Sequence, residues 1–289
     1  MKFAIAFANI GPCSEPGRAI EFARAAEAAG FESLWTVEHV VVPADYQSTY
    51  PYDPSGRMPG PENAPMPDPL VWLSFLASAT STLRLATGIL VLPQRNPVVL
   101  AKELATLDHL SGGRLLLGVG SGWLEEEFEA IGIPFAERGR RTDDALGALR
   151  ALWAEEPASY EGEFTSFSDC ILSPRPAGGK IPVHIGGHSP VAARRAGRLG
   201  DGFFPASGTH EQLRDLFDIV RSTAEDQGRD PDGIELTTGG NGAIGERALA
   251  EVEALAELGV ERVVLPSFLF WGHPTEDLAR YGEEVIARC

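Results

Sequence analysis

"LLLGVGSGW", residues 115–123, is the stretch on which the fold turns. An apolar run leads into Gly118, Gly120 and Gly122, and helix-forming residues follow. That order is close to the dinucleotide fingerprint, whose glycines bring a pyrophosphate up to a helix N-terminus. The spacing does not close. A G-x-G-x-x-G beginning at Gly118 requires glycine at Trp123, and one beginning at Gly120 requires it at Glu125. Charge argues the same way: Glu125, Glu126 and Glu127 fill the first turn of the next helix, where a phosphate would meet three carboxylates. The stretch reads instead as a strand that ends close beneath a ligand, with Trp123 at the pocket edge.

Outward from it, β-rich runs alternate with helical periodicity from end to end. Strands are predicted at 2–8, 33–37, 84–93, 114–120, 182–187, 201–206, 234–240 and 261–267. Helices are predicted at 15–30, 68–80, 97–110, 137–153, 189–197, 210–228, 246–259 and 274–288. Asp68 and Pro69 suit the cap and first turn of the second helix. Eight such units in 289 residues, with no shift in composition, predict an α/β fold of the (β/α)8 TIM-barrel type as a single domain over 1–289. Two insertions interrupt the rhythm. Residues 40–67, rich in Pro, Tyr and Gly, read as a lid, and 155–180, with Pro157, Pro174 and Pro176, as an irregular excursion.

Hydrophobic residues make up 44% of the chain and charged ones 22%, enough apolar material for a large core. With 24 Lys and Arg against 41 Asp and Glu, the formal charge of −17 disfavours nucleic acid and anionic membrane as partners. No apolar run approaches the roughly 20 residues of a membrane span. The opening "MKFAIAFANIGPCSEP" lacks a small-residue cleavage site and reads as a first strand, so a cytoplasmic location is expected. Cys13, Cys170 and Cys289 are too scattered for a disulfide framework or a metal knuckle.

The better phosphate candidate is "IPVHIGGHSPVAARRAG", 181–197. Gly186 and Gly187 let backbone N–H groups approach a ligand, Ser189 can cap or donate, and Arg194 and Arg195 leave the helix start locally positive. A plain strand–turn–helix junction would look similar, but the loop falls at the C-terminal rim, where barrels bind ligands. Among the six histidines, His109, His210 and His273 read as surface or capping residues, and His184 as packed within a strand. His39 directly follows the second strand beside Glu38, which is expected to orient it for proton transfer. No H-x-H, H-E-x-x-H or cysteine pair supports a metal, and no G-x-S-x-G supports a serine nucleophile. Glycines, apolar side chains, one histidine, Trp123 and Phe268 suit a large planar cofactor with its own reactivity.

These segments, with "PQRNPVVLAKELATLDHLSGGRLLLGVGSGW" (93–123) and "ERGRRTDDALGALRALW" (137–153), resemble the luciferase-like flavin monooxygenase and deazaflavin oxidoreductase superfamily over nearly the whole chain. The resemblance implies reduced flavin or coenzyme F420 across the strand ends of a TIM barrel. It implies that His39 lies near the deazaflavin's reactive carbon. Gly88–Ile89 falls where relatives carry a non-prolyl cis peptide backing the ring. Gly120, Ser121, Gly122 and Trp123 would form the rim, and Gly186, Gly187, His188 and Ser189 the phosphate loop. Trp123 stands where some deazaflavin sugar-phosphate dehydrogenases present a catalytic glutamate, which argues against that substrate. An F420-dependent oxidoreductase acting on a small organic substrate is the leading expectation. An FMN-dependent, alkanesulfonate-type monooxygenase and a non-catalytic flavin-binding protein are the alternatives. A homodimer is expected from the resemblance alone.

Overall fold

A computed structural model of the chain describes residues 1–240 and 242–289. In chain order its elements are β1 (Lys2–Ala6), α1 (Pro16–Ala28), β2 (Ser33–Thr36), α2 (Pro69–Ala77), β3 (Arg84–Thr87), β4 (Leu90–Val91), α3 (Pro97–Ser111), β5 (Leu115–Gly120), α4 (Glu125–Ala130) and α5 (Arg138–Ala154). There follow β6 (Ala158–Glu161), β7 (Ser166–Cys170), β8 (Val183–Gly186), α6 (Pro190–Leu199), β9 (Gly202–Phe204), α7 (His210–Asp226), β10 (Glu235–Gly239), α8 (Ala248–Glu257), β11 (Arg262–Pro266) and α9 (Pro274–Glu284).

The strands lie side by side in the order β3-β2-β1-β11-β10-β9-β8-β5-β4, and β3 also pairs with β5, closing a (β/α)8 barrel. Every pairing round the barrel is parallel, as crossover helices require. Helix starts carry the signals the sequence offers. Asp68 accepts the N–H groups of Leu70 and Val71 at 2.9 and 3.0 Å, and Thr209 with Gln212 forms a capping box on α7.

Period-2 alternation sorts the strands' side chains into two cores. Phe3, Ile5, Leu34, Leu85, Leu115 and Leu117 face the helices, whereas Ala4, Ala6, Trp35, Ala86, Leu116, Phe204 and Val264 fill the barrel interior. Small alanines opposite one large tryptophan keep the interior packed. At the N-terminal end Arg262, fully buried, is held by Glu32 at 2.9 and 3.0 Å and by Glu235. Beside it lies His184, packed edge-on against Trp35 as a core histidine.

Two expectations need correction. The predicted strand 84–93 is broken at Gly88–Ile89, where the peptide is cis, so β3 and β4 share one barrel position. The insertion 155–180 is not irregular throughout. Strands β6 and β7 form an antiparallel hairpin that pairs Tyr160 with Phe167 and docks on α5, where the Tyr160 hydroxyl donates to the Asp144 carbonyl at 3.1 Å. Prolines on either side mask the short alternation.

Candidate active site

The mouth at the strands' C-terminal ends is built on missing side chains. In β5 the outward positions are Leu115, Leu117 and Val119, leaving Gly118 and Gly120 to alternate inward with Leu116. A Cβ on Gly118 would stand 2.0 Å from the Thr87 carbonyl oxygen, and one on Gly120 would stand 2.6 Å from Ile89 Cδ1. On β8, a Cβ at Gly186 would meet Ile89 Cγ2 at 2.4 Å. Thus Gly88, Ile89, Gly120 and Gly186, chosen separately from the sequence, converge on one floor: Ile89 lies across a shelf that only glycines leave open. Gly122, with φ +82°, turns the chain where Phe128 and Val91 approach.

At the end of β2 the chain presents His39. Its Nδ1 lies 3.0 Å from Glu127 Oε2, and Glu127 Oε1 accepts the Val40 N–H at 2.5 Å and the Val41 N–H at 3.3 Å. A carboxyl that already gathers two backbone N–H groups acts as an acceptor, so Nδ1 is the donor and Nε2 is left to take or give a proton. The expected role of Glu38 as the group that orients His39 is therefore corrected. Glu38 turns the other way, accepting the Val91 N–H at 2.5 Å and pairing with Arg95, which also holds Asp68 at 2.8 Å. Neighbouring residues at a strand end point to opposite sides, so adjacency in sequence excluded the contact. Glu38 pins the end of β2 to β4 and to the start of α2.

The acidic run at the start of α4 proves to be a clamp for the long loop. Glu126 Oε1 accepts the N–H groups of Gln47 and Ser48 at 2.6 and 3.0 Å, and the Glu125 N–H donates to Ser48 Oγ at 3.1 Å. The Ser48 hydroxyl and the two amides hold the Glu126 carboxyl down at about 2. Asn9 ties the loop's far end, donating to the carbonyls of Val37 and Pro67, each at 2.9 Å, and accepting the Val37 N–H. Clamped so, the loop lays aromatics across the rim. Trp123 packs edge-on against His39, Tyr46 and Tyr50, with centroids 5.6, 5.5 and 5.1 Å away, and Tyr52 reaches His188 at 4.8 Å. Burial pushes the Tyr50 phenol up to about 12 and raises that of Tyr52 as well. Sequence reasoning missed Asn9, Arg95, Glu126 and Glu127; the available signal was a triple carboxylate directly after the rim glycines.

The loop after β8 bends at Gly187, φ +125°, and Ser189 caps α6 by accepting the Ala192 N–H at 3.3 Å. The Gly187 N–H is taken by the Phe204 carbonyl, leaving the start of α6, with no acid in its first turn, as the anion-facing end. Arg195 is not the free cation expected there. It is buried against Asp143 and reaches Ser121 Oγ at 3.3 Å and the Gly139 carbonyl at 3.2 Å, while Ser121 Oγ lies 2.9 Å from Thr142 Oγ1. Ser121 is thereby fixed between α5 and α6. A glycine-floored shelf, a histidine with one free nitrogen and an acid-free helix start suit a planar ring carrying a phosphate tail.

A family model described as luciferase-like monooxygenase matches residues 4–285. An F420-dependent glucose-6-phosphate dehydrogenase of Kineococcus radiotolerans is 32% identical over 228 residues, 77% of this chain and 62% of that protein. Among solved structures, the coenzyme F420 dependent tetrahydromethanopterin reductase of Methanopyrus kandleri superposes with a TM-score of 0.79 at 18% identity, covering 99% of each chain. The monooxygenase RslO1 of Streptomyces bottropensis superposes at 0.73 with 25% identity, covering 100% of this chain and 99% of its own.

Proposed function

The chain belongs to the luciferase-like monooxygenase family, and on that premise we propose that it is an oxidoreductase that uses coenzyme F420 to act on a small organic substrate. The observation that carries this reading is His39, held through Nδ1 by Glu127 and packed on Trp123, at the mouth whose floor Ile89, Gly120 and Gly186 form. Gly88 and Ile89 would back the ring, Gly120, Ser121 and Trp123 would line its edge, and Gly186, Gly187, His188 and Ser189 would face the phosphate. When bound, the deazaflavin supplies hydride transfer. The protein's own work is the proton. His39 Nε2 accepts or donates it at the substrate, Glu127 fixes the tautomer, and the clamped aromatic loop keeps water from the exchange.

A second reading, an FMN-dependent monooxygenase, draws support from the full-length superposition on RslO1. Titration of the apoprotein with F420 and with FMN, each oxidised and reduced, separates the two. Tight F420 binding with weak FMN binding is expected; the reverse overturns the F420 reading. Binding of either without turnover on any substrate leaves a carrier protein.

A further inference from the structure

The mouth is divided into two unlike halves. The glycine shelf and the phosphate loop belong to β3–β4, β5 and β8, which are neighbours in the barrel, whereas β10, β11, β1 and β2 follow one another round the other side. On that other side Phe7 packs on the barrel-interior cluster of Trp35, Phe204 and Val264, and Phe268 packs on Phe7 with centroids 6.2 Å apart. Phe268 is nevertheless 53% exposed. On the same and adjoining loops Leu269 is 38%, Ile244 38% and Val40 49% exposed. So much apolar surface at the edge of a catalytic mouth calls for a ligand to cover it.

The charges at the mouth narrow the choice. Among the described residues, the loops that leave the barrel strands at this end carry three Lys or Arg: Arg57, Arg95 and Arg247. Arg57 is held by Glu62 at 2.7 Å and stacks on Tyr46, and Arg95 is held by Glu38 and Asp68. Arg247 is exposed at the start of α8, beside Glu246. Carboxylates outnumber cations on these loops, and the cofactor adds its own negative charge. A second anion seated beside the first would be repelled, and among the described residues the apolar half offers only Arg247, exposed beside Glu246, to hold it.

We infer that the substrate is an uncharged, predominantly apolar organic molecule, seated on Phe7 and Phe268 and the exposed edge formed by Leu269, Ile244 and Val40.

 

Phe7, Phe268 and Leu269 thus form the seat, and Ile244 and Val40 its flanks. The inference rests on the F420 reading for the chemistry, but not for the binding itself. Apolar contact predicts affinity that grows with buried alkyl length, about fourfold per methylene.

Saturation-transfer NMR tests this on the full chain with 2-butanone, 2-hexanone, 2-octanone and glucose 6-phosphate, each with and without F420. The affinity is expected to rise along the ketones, with no transfer to glucose 6-phosphate. Phe268→Ser, at a half-exposed position whose loss spares the core, is expected to weaken 2-octanone roughly tenfold, and Leu269→Ser to act in the same direction. Glucose 6-phosphate binding more tightly than 2-octanone overturns the inference. So does a ketone series that is flat, or that Phe268→Ser leaves unchanged while sedimentation shows that a second copy covers this edge. If the ketones bind as expected and F420 does not, the cofactor reading fails and the substrate class stands.

Discussion

Replacing Glu127 with Gln is the sharpest test of how the site handles its proton. The wild-type carboxylate takes three donors, His39 Nδ1 at 3.0 Å and the N–H groups of Val40 and Val41 at 2.5 and 3.3 Å. A glutamine has one oxygen and one NH2 for the same three donors. To keep the Val40 amide its oxygen must stay on that side, which turns the NH2 toward Nδ1. Two donors cannot share that contact, so Nδ1 gives up its proton and the ring adopts the Nε2–H tautomer. The nitrogen that should accept the substrate proton then already carries one. Loss of the charge-assisted bonds costs about 2 kcal/mol of stability, and loss of the proton acceptor lowers turnover on the order of 10²–10⁴-fold. Nitrogen-15 NMR of histidine-labelled protein reads the tautomer directly, and urea unfolding reads the stability. A Glu127→Gln protein that keeps Nδ1–H and turns over within about threefold of the wild type, well short of that range, would refute the assignment.

Other outcomes follow from the same geometry. His39→Ala is expected to lower turnover by at least about a hundredfold while F420 affinity, read by fluorescence titration, changes far less. Adding one methyl to each floor glycine is expected to give a graded series in thermal unfolding. Gly118→Ala is the worst because its Cβ meets backbone at 2.0 Å, Gly186→Ala is next because it meets the branched Cγ2 of Ile89, and Gly120→Ala is mildest because the flexible Cδ1 can rotate away. The overpacking cost is about 1–3 kcal/mol for the milder pair. A reversed order in melting temperature would contradict the proposed floor. Burial, with Arg262 second, holds His184 down at about 4 against an ordinary 6.5. The unfolded chain therefore binds more protons between those values, so this contribution is full above pH 6.5 and is lost as pH falls toward 4. It amounts to about 3 kcal/mol, and in urea unfolding at pH 7 and 4.5 the gap should shrink in His184→Leu. Glu27 acts in a lower window. Burial raises its carboxyl, but hydrogen bonds from Thr82, Leu83 and Ser81 outweigh that and hold it at about 2, so its share is lost only below its ordinary 4.5.

Much of the barrel was legible because its signals are local. Alternation in "LLLGVG", the Asp68 and Ser189 caps and the eightfold rhythm each lie within a few residues. The floor was partly legible, since glycines at inward positions mark close approach, yet the intruder, Ile89, was named by the family resemblance and not by the residues around it. The proton-handling pair was not legible. His39 and Glu127 are separated by 88 residues, and nothing near either one names the other. Glu38 attracted the assignment by adjacency, while the alternation that runs along a strand end sent it toward Arg95. Arg195 misled for a similar reason, because its partner Asp143 lies on a different helix, 52 residues away in the chain.

The clamp at the start of α4 has a consequence for anyone exchanging parts among relatives of this chain. The loop 40–67 hangs on backbone amides at Val40, Val41, Gln47 and Ser48, and every acceptor for them belongs to Glu126 or Glu127. The transplantable unit is thus two segments far apart in the gene. A library that swaps the loop alone strips its amides of their acceptors and yields misfolded rims, whereas co-transfer of 121–130 carries the fastening along with the cover.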